Sequence, residues 1–358
     1  MLILVALFCR SIASAGEPER SSTSSQALWV SNNDNSTGFV SELVQKQLQK
    51  SGMPQRALNT GESQVGPPGK LAFDGAGNLW IPFCGVAPTV QGLVAAFGPV
   101  ALRQIAARHF NGAKPKAELT SNDFHCPTAV AFDGGGNLWI TNAGVFDGQA
   151  PSIIGYTAAS LSQQNPAPSA ELTSSSFQKL LGLAFDAAGD LWTADGLTGD
   201  VFEFTPLQLS QGGSQTPRII LQASGFDDAW DVAFDTSNNI WVSYQSADRN
   251  GAGAVEMFAA SDLTGAGTIN PPAKVTLGGP APCSILKLCD PFGVAFDQGG
   301  DIWVAQFPNE IFEFTPSQFG SGDTPLAHVI LASNFLKGDG PKLNFLGFGF
   351  LTFGPVIK

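Results

Sequence analysis

The sequence predicts an all-β protein, a six-bladed β-propeller of four-stranded antiparallel blades closed by pairing of its N- and C-terminal strands. Three observations carry that prediction. The stretch Leu71-Ala72-Phe73-Asp74-Gly75-Ala76-Gly77-Asn78-Leu79-Trp80 returns as Val130 to Ile140, Leu183 to Trp192, Val232 to Trp241 and Val294 to Trp303, and a unit this regular marks a repeat architecture. Its aspartates at 74, 133, 186, 235 and 297 are 59, 53, 49 and 62 residues apart, enough for four strands with their loops. Finally, Ala27-Leu28-Trp29-Val30 is a second half without a first, and Gly347-Phe348-Gly349-Phe350-Leu351 a first half without a second. Five whole units and two halves make six. Aligned on Gly182 to Asp186, Gly349, Phe350 and Leu351 are expected in the slots of Ala184, Phe185 and Asp186.

Each unit reads as a β-hairpin. Val-Ala-Phe and Leu-Trp-Ile are apolar runs that favour strand, and Asp-x-x-Gly-Asn lies between them. The fourth turn position holds Gly77, Gly136, Gly189 and Gly300, with Asn238 in the remaining copy. A left-handed backbone is expected there, which Gly adopts freely and Asn tolerates. The leading aspartates are therefore turn formers, whose carboxylates accept from the turn's own amides.

The other strands follow in order. After each Trp strand comes a third, as in Ile153–Thr157, Val201–Thr205 and Ile311–Thr315. Thr205-Pro206 and Thr315-Pro316 place a cap and a proline where a short helical turn begins. A polar segment then leads to an outer strand such as Arg218–Leu221 or His328–Leu331. The Ala-Phe strand is innermost: blades converge on the axis, so Ala fills the tight face and Phe the wide one. Trp29, Trp80, Trp139, Trp192, Trp241 and Trp303 are expected to pack between blades.

Composition narrows the function classes. The chain has 358 residues, 43% of them hydrophobic, and a formal net charge of −12. Such a balance argues against nucleic acid or an anionic membrane as partner, since both call for clustered Lys and Arg. No apolar run is long enough to span a bilayer. Leu2 to Cys9 followed by Ala13-Ser14-Ala15 reads as an export signal over residues 1–15, leaving the propeller at 16–358 and a secreted protein. Four cysteines then remain, Cys84, Cys126, Cys283 and Cys289, an even count that suggests disulfides outside the cell. Cys84 and Cys126 fall on the same face of adjacent repeats and are expected to be bridged; Cys283 and Cys289 are expected to close one loop. Asn35-Ser36-Thr37 is a glycosylation sequon.

The pattern Gly-φ-Ala-Phe-Asp-x-x-Gly-Asn-φ-Trp-φ resembles that of NHL-repeat propellers and the wider TolB-like six-bladed group. That group includes the gluconolactonase and senescence-marker-protein family and, more loosely, virginiamycin B lyase propellers. The resemblance spans roughly residues 27–358 and implies the fold, while many activities share the scaffold. In gluconolactonase-like enzymes it implies a metal held by acidic and amide side chains just before the inner strands. The matching positions here are Gly69, Thr128, Leu181, Trp230 and Phe292. None is a ligand for a hard cation such as calcium, and Asp231 lies one place off that register. Those ligands do not carry over, and no cofactor is expected.

The candidate site is the channel mouth on the face away from the Asp-x-x-Gly turns. Three residues past each Trp stand Asn32, Phe83, Asn142, Asp195, Tyr244 and Gln306. Four before each turn Asp stand Lys70, Ala129, Gly182, Asp231 and Gly293, with His125, Asp228 and Asp290 nearby. Lys70 and Asp231 belong to opposite blades, which gives the mouth polarity. His125 precedes Cys126, but a bridged cysteine is no nucleophile. His109 and His328 fall on outer-strand segments. These residues point to a monomeric, non-catalytic binding or scaffold protein that takes a protein, peptide or carbohydrate at the mouth. The second reading is a hydrolase or lyase there, gluconolactonase-like or virginiamycin B lyase-like, with or without a metal.

Overall fold

The computed structural model describes residues 26–33, 38–44, 48, 56–59, 68–85, 92–99, 115–144, 148–163, 166–223, 228–245, 253–278, 288, 290–306, 310–320, 329–332 and 349–355. The export signal, the sequon, Cys283, Cys289, His109 and His328 lie outside them. In chain order the first sheet holds β1 (Gln26–Asn33), β2 (Gly38–Leu43) and β3 (Arg56–Asn59), and the second β4 (Ala72–Phe73), β5 (Leu79–Phe83), β6 (Leu93–Phe97) and β7 (Ala117–Leu119). The third comprises β8 (Pro127–Phe132), β9 (Leu138–Asn142), β10 (Ser152–Tyr156) and β11 (Ala170–Thr173). In the fourth are β12 (Leu180–Phe185), β13 (Leu191–Asp195), β14 (Val201–Phe204) and, after helix α1 (Pro206–Gln211) and β15 (Gly213–Ser214), β16 (Ile219–Leu221). The fifth has β17 (Asp228–Phe234), β18 (Ile240–Gln245), β19 (Ala254–Phe258) and, after β20 (Gly267–Ile269), which joins the fourth, β21 (Val275–Gly278). Last come β22 (Pro291–Phe296), β23 (Ile302–Gln306), β24 (Glu310–Phe314) and β25 (Val329–Ala332), then β26 (Leu351–Pro355).

β26 pairs antiparallel with β1, giving the order β26-β1-β2-β3 and closing the ring. The inner strands touch in the cycle β4, β8, β12, β17, β22, β26 and back to β4. The protein is a six-bladed β-propeller. We number its blades I to VI from the one that contains both ends.

Two expectations are corrected. Trp29 pairs with Thr352, whereas Trp192 pairs with Ala184, so the C-terminal half-unit sits three residues later than the sequence alignment. Thr352, Phe353 and Gly354 take the Ala, Phe and Asp slots. The Gly-Phe repetition in this tail offers more than one alignment, and the one realised places the Phe353 ring 6.2 Å from that of Trp303. Not every blade is limited to four strands either. β15 adds parallel to β11 of the preceding blade, and β20 adds parallel to β16. Each polar linker thereby covers a sheet edge that would otherwise present unpaired amides.

The hairpins close as their turn chemistry requires. Asp133 Oδ1 accepts from the amides of Gly135 and Asn137, and its Oδ2 from Asn137 Nδ2 at 2.9 Å and Trp139 Nε1 at 3.1 Å. The fourth turn residue has positive φ in every copy, Asn238 included at 61°. The indole–aspartate bond recurs between Trp80 and Asp74, Trp192 and Asp186, Trp241 and Asp235, and Trp303 and Asp297. In blade I the slot of the turn aspartate holds Gly354, and the buried Nε1 of Trp29 has no acceptor among the described residues.

Each Trp also meets the Phe of the next blade edge-on: Trp29 with Phe73, Trp80 with Phe132, Trp192 with Phe234 and Trp241 with Phe296, at centroid distances of 5.5 to 6.2 Å. Trp139 and Phe185 share the seam between blades III and IV. Such ring pairs add about 0.5–1.5 kcal/mol each beyond their buried area. Thr205 caps α1 and Thr315 caps the turn Pro316–Gln318, both through a capping box with Gln at the third position.

Candidate functional site

The mouth is built by irregularities in the inner strands. Pairing with the second strand shifts between Pro127 and Ala129, Leu180 and Leu183, Ala229 and Asp231, and Pro291 and Val294. Thr128, Leu181, Trp230 and Phe292 fall in these bulges, which re-aim side chains at the rim of a closed sheet. Hydroxyls two past the Trp stitch the bulges to the preceding blade: Thr141 Oγ1 donates to Leu181 O at 2.8 Å, and Ser243 Oγ donates to Phe292 O. The Trp230 and Phe292 rings meet edge-on at 4.9 Å, Leu181 joins the same buried cluster, and Lys179 Nζ lies 5.2 Å from the Trp230 ring. This indole is the seventh tryptophan, the one outside the repeat.

One position further along, Lys70, Ala129, Gly182, Asp231, Gly293 and Phe350 form the inner ring. Lys70 reaches from blade II across the axis to blade V, where its Nζ donates to Asp231 Oδ1 and Val232 O, each at 2.7 Å. Asp231 is 0% exposed and Lys70 9%. Asp231 also accepts from Val232 N at 2.8 Å and Val294 N at 3.0 Å. Burial nevertheless raises its carboxyl above the ordinary range, against the pull of Lys70 and the two amides. A Cβ on Gly182 would lie 2.2 Å from Asp231 Oδ1, so glycine is required there for the carboxylate to sit where it does.

The other sequence-predicted residues are spread around the rim. Asp195 is buried, and four backbone amides saturate it: Gln178 and Lys179 on Oδ2, Leu197 and Thr198 on Oδ1. Asn142 Nδ2 donates to Asp123 O at 2.7 Å. Gln306 Nε2 donates to Glu310 Oε2 at 2.8 Å. Tyr244 is buried, and its hydroxyl is pushed far up by burial and by the charges of Glu256 and Asp200. Asn32 pairs with Phe39 along β1, and its side chain lies outside the described residues. His125, Asp228 and Asp290 are half-buried. Asp228 lies opposite Gln245, whose Nε2 donates to Pro291 O beside Asp290, so these two acids share the seam between blades V and VI. Cys84 and Cys126 are bridged, with Cα atoms 3.9 Å apart, and tie blade II to blade III below His125.

Two acidic clusters lie on the opposite face, at the turns: Asp186, Asp190 and Glu203 in blade IV, and Asp297, Asp301 and Glu313 in blade VI. Both arise where the turn's Asn becomes Asp and a Glu stands opposite the Trp. In blade IV the Arg218 guanidinium bridges Asp190 and Glu203, and burial pushes Glu203 up to about 7 against that pull. At the axis the lining is chemically unsuited to a hard metal. Glycine, apolar and aromatic side chains dominate, and the Lys70 ammonium already occupies the cation's place on Asp231.

No protein-family model matches the chain, nor does any curated protein sequence. Solved structures do align with it. Virginiamycin B lyase from Staphylococcus aureus is 14% identical over 70% of this chain and 67% of its own, with a TM-score of 0.47. A protein of unknown function from Bacteroides caccae is 11% identical over 92% and 99%, at 0.49. A putative gluconolactonase is 11% identical over 78% and 85%, at 0.42. The fold assignment itself rests on the sheet order and ring closure. Among the described residues no helix is long and apolar enough to cross a membrane.

Proposed function

We propose that the protein is an exported, monomeric, non-catalytic binding or scaffold propeller that takes a protein, peptide or carbohydrate on its mouth face. One observation carries the reading: the buried carboxylates of the mouth are held by the chain's own donors. Asp231 is held by Lys70 and two amides, and Asp195 by four amides. A general base needs a lone pair within reach of substrate; Asp195 has four donors on its two oxygens and Asp231 three, and both are fully buried. The recognition surface is then the half-buried rim of His125, Asp228 and Asp290.

The test is capture on glycan and peptide arrays, followed by mass spectrometry of the recovered ligand. The ligand is expected back chemically unchanged. The combined variant H125A/D228A/D290A should bind at least about tenfold more weakly, the loss of one or two charged hydrogen bonds, with thermal stability retained. Recovery of a hydrolysed or eliminated product would overturn the reading and favour the hydrolase or lyase.

A further inference from the structure

A cavity of about 270 Å³ opens on the outer part of blade V, away from the mouth. It arises from the strand switch described above. The chain leaves its own blade to add β20 to blade IV, then returns through Asn270-Pro271-Pro272-Ala273 to β21. The returning segment arches over β19, and the space beneath is lined by Glu256, Phe258, Asn270, Pro271, Pro272 and Ala273. Prolines hold the arch without offering amides that would need partners.

Among the described residues the lining has one ionisable group, Glu256, and no cation. The nearest lysine in sequence, Lys274, is committed to Asp262 at 2.8 Å. Burial raises the Glu256 carboxyl to about 7, eased in part by a hydrogen bond from Thr276. Two further groups at the seam, Asp200 and the buried Tyr244, supply no positive charge. A half-buried carboxyl among a phenyl ring, two prolines and an alanine is complementary to a cation with an apolar body.

We infer that this cavity is a binding site for a small organic ammonium ion, with Glu256 pairing the nitrogen and Phe258, Pro271, Pro272 and Ala273 enclosing the carbon skeleton. The volume lies just below the usual range of ligand pockets, about 300–1,000 Å³, which suits a single ring or a short chain. The chain's negative net charge raises the local concentration of such cations. Either a free amine or a lysine side chain of a peptide supplies this chemistry. The site is independent of the mouth, and its failure would leave the reading of the mouth untouched.

The experiment is ligand-observed NMR on the full chain with phenethylamine, its neutral isostere 2-phenylethanol, and a short peptide with one lysine. Saturable binding of phenethylamine is expected, weakened about tenfold or more by Glu256→Gln and for 2-phenylethanol, as loss of a charge-assisted bond requires. Ala273→Leu, which fills the space and keeps the charge, should abolish it. Binding of the peptide alone, with the same sensitivity to both substitutions, would assign the ammonium to a partner's lysine. Equal binding by Glu256→Gln, unchanged binding by Ala273→Leu, or no saturation by either amine up to about 10 mM would each overturn the inference.

Discussion

Lys70 and Asp231 show how one residue pair governs the axis. Both are taken out of water, and their attraction together with the Val232 and Val294 amides offsets part of that loss. Removing one partner strands the other. Lys70→Met should therefore cost about 3–5 kcal/mol of unfolding free energy, while Lys70→Met with Asp231→Leu should recover most of it. Urea unfolding of the two variants checks this, and equal losses in both would refute the picture of a paired charge. The turn aspartates have an equally defined role. Burial would raise Asp74, but hydrogen bonds from Asn78, Trp80 and two amides outweigh it and hold the carboxyl below its ordinary value. Asp133 behaves likewise. Reading these residues as turn formers was right but incomplete, because the indole six residues on is a second donor that turn chemistry alone does not reveal.

At the scale of elements, the four antiparallel strands of each blade and their order were legible, whereas the parallel additions β15 and β20 were not. A period-two apolar pattern with an Asp-x-x-Gly turn admits few alternatives, and Thr-Pro-x-Gln announces its own cap. The C-terminal strand was harder. Two closely spaced Gly-Phe pairs satisfy the motif, and only pairing with β1 and the Trp303 ring selects Phe353. The inner-strand bulges were not legible, because a bulge is set by what two neighbouring blades require of one backbone. The bridge between Cys84 and Cys126 joins blades II and III across 42 residues of sequence. Loop-closure entropy puts its contribution at about 4 kcal/mol. Cys84→Ser with Cys126→Ser should lower the thermal midpoint by several degrees, read by circular dichroism with and without reductant. An unchanged midpoint would mean that the seam holds without the bridge.

For the whole molecule, stability should depend on pH in two opposed ways. Burial raises Glu203 and Glu256 from an ordinary 4.5 to about 7. Between those values the folded chain keeps protons that the unfolded chain releases, so stability falls as pH rises from about 4.5 to about 7. Asp74 and Asp133 are lowered below 3.8, so their contribution is present above that value and is lost as pH falls through their folded pKa. Chemical denaturation across pH 3 to 9 should show greatest stability near pH 4, with a neutral limb flattened by Glu203→Gln and Glu256→Gln. A neutral limb that rises with pH would contradict the assignment.

The amino-acid sequence alone determined the number of blades, the strand order, the closure of the ring by its own ends and the packing role of the tryptophans. All of these follow from local patterns repeated in register. Only the tertiary structure decided what the polar residues of the mouth do. Lys70 and Asp231 are 161 residues apart, and whether two charges line an open channel or neutralise each other across a closed one depends on the width of the ring. The room that Asp231 occupies is left by Gly182 of the neighbouring blade, and no single repeat contains that.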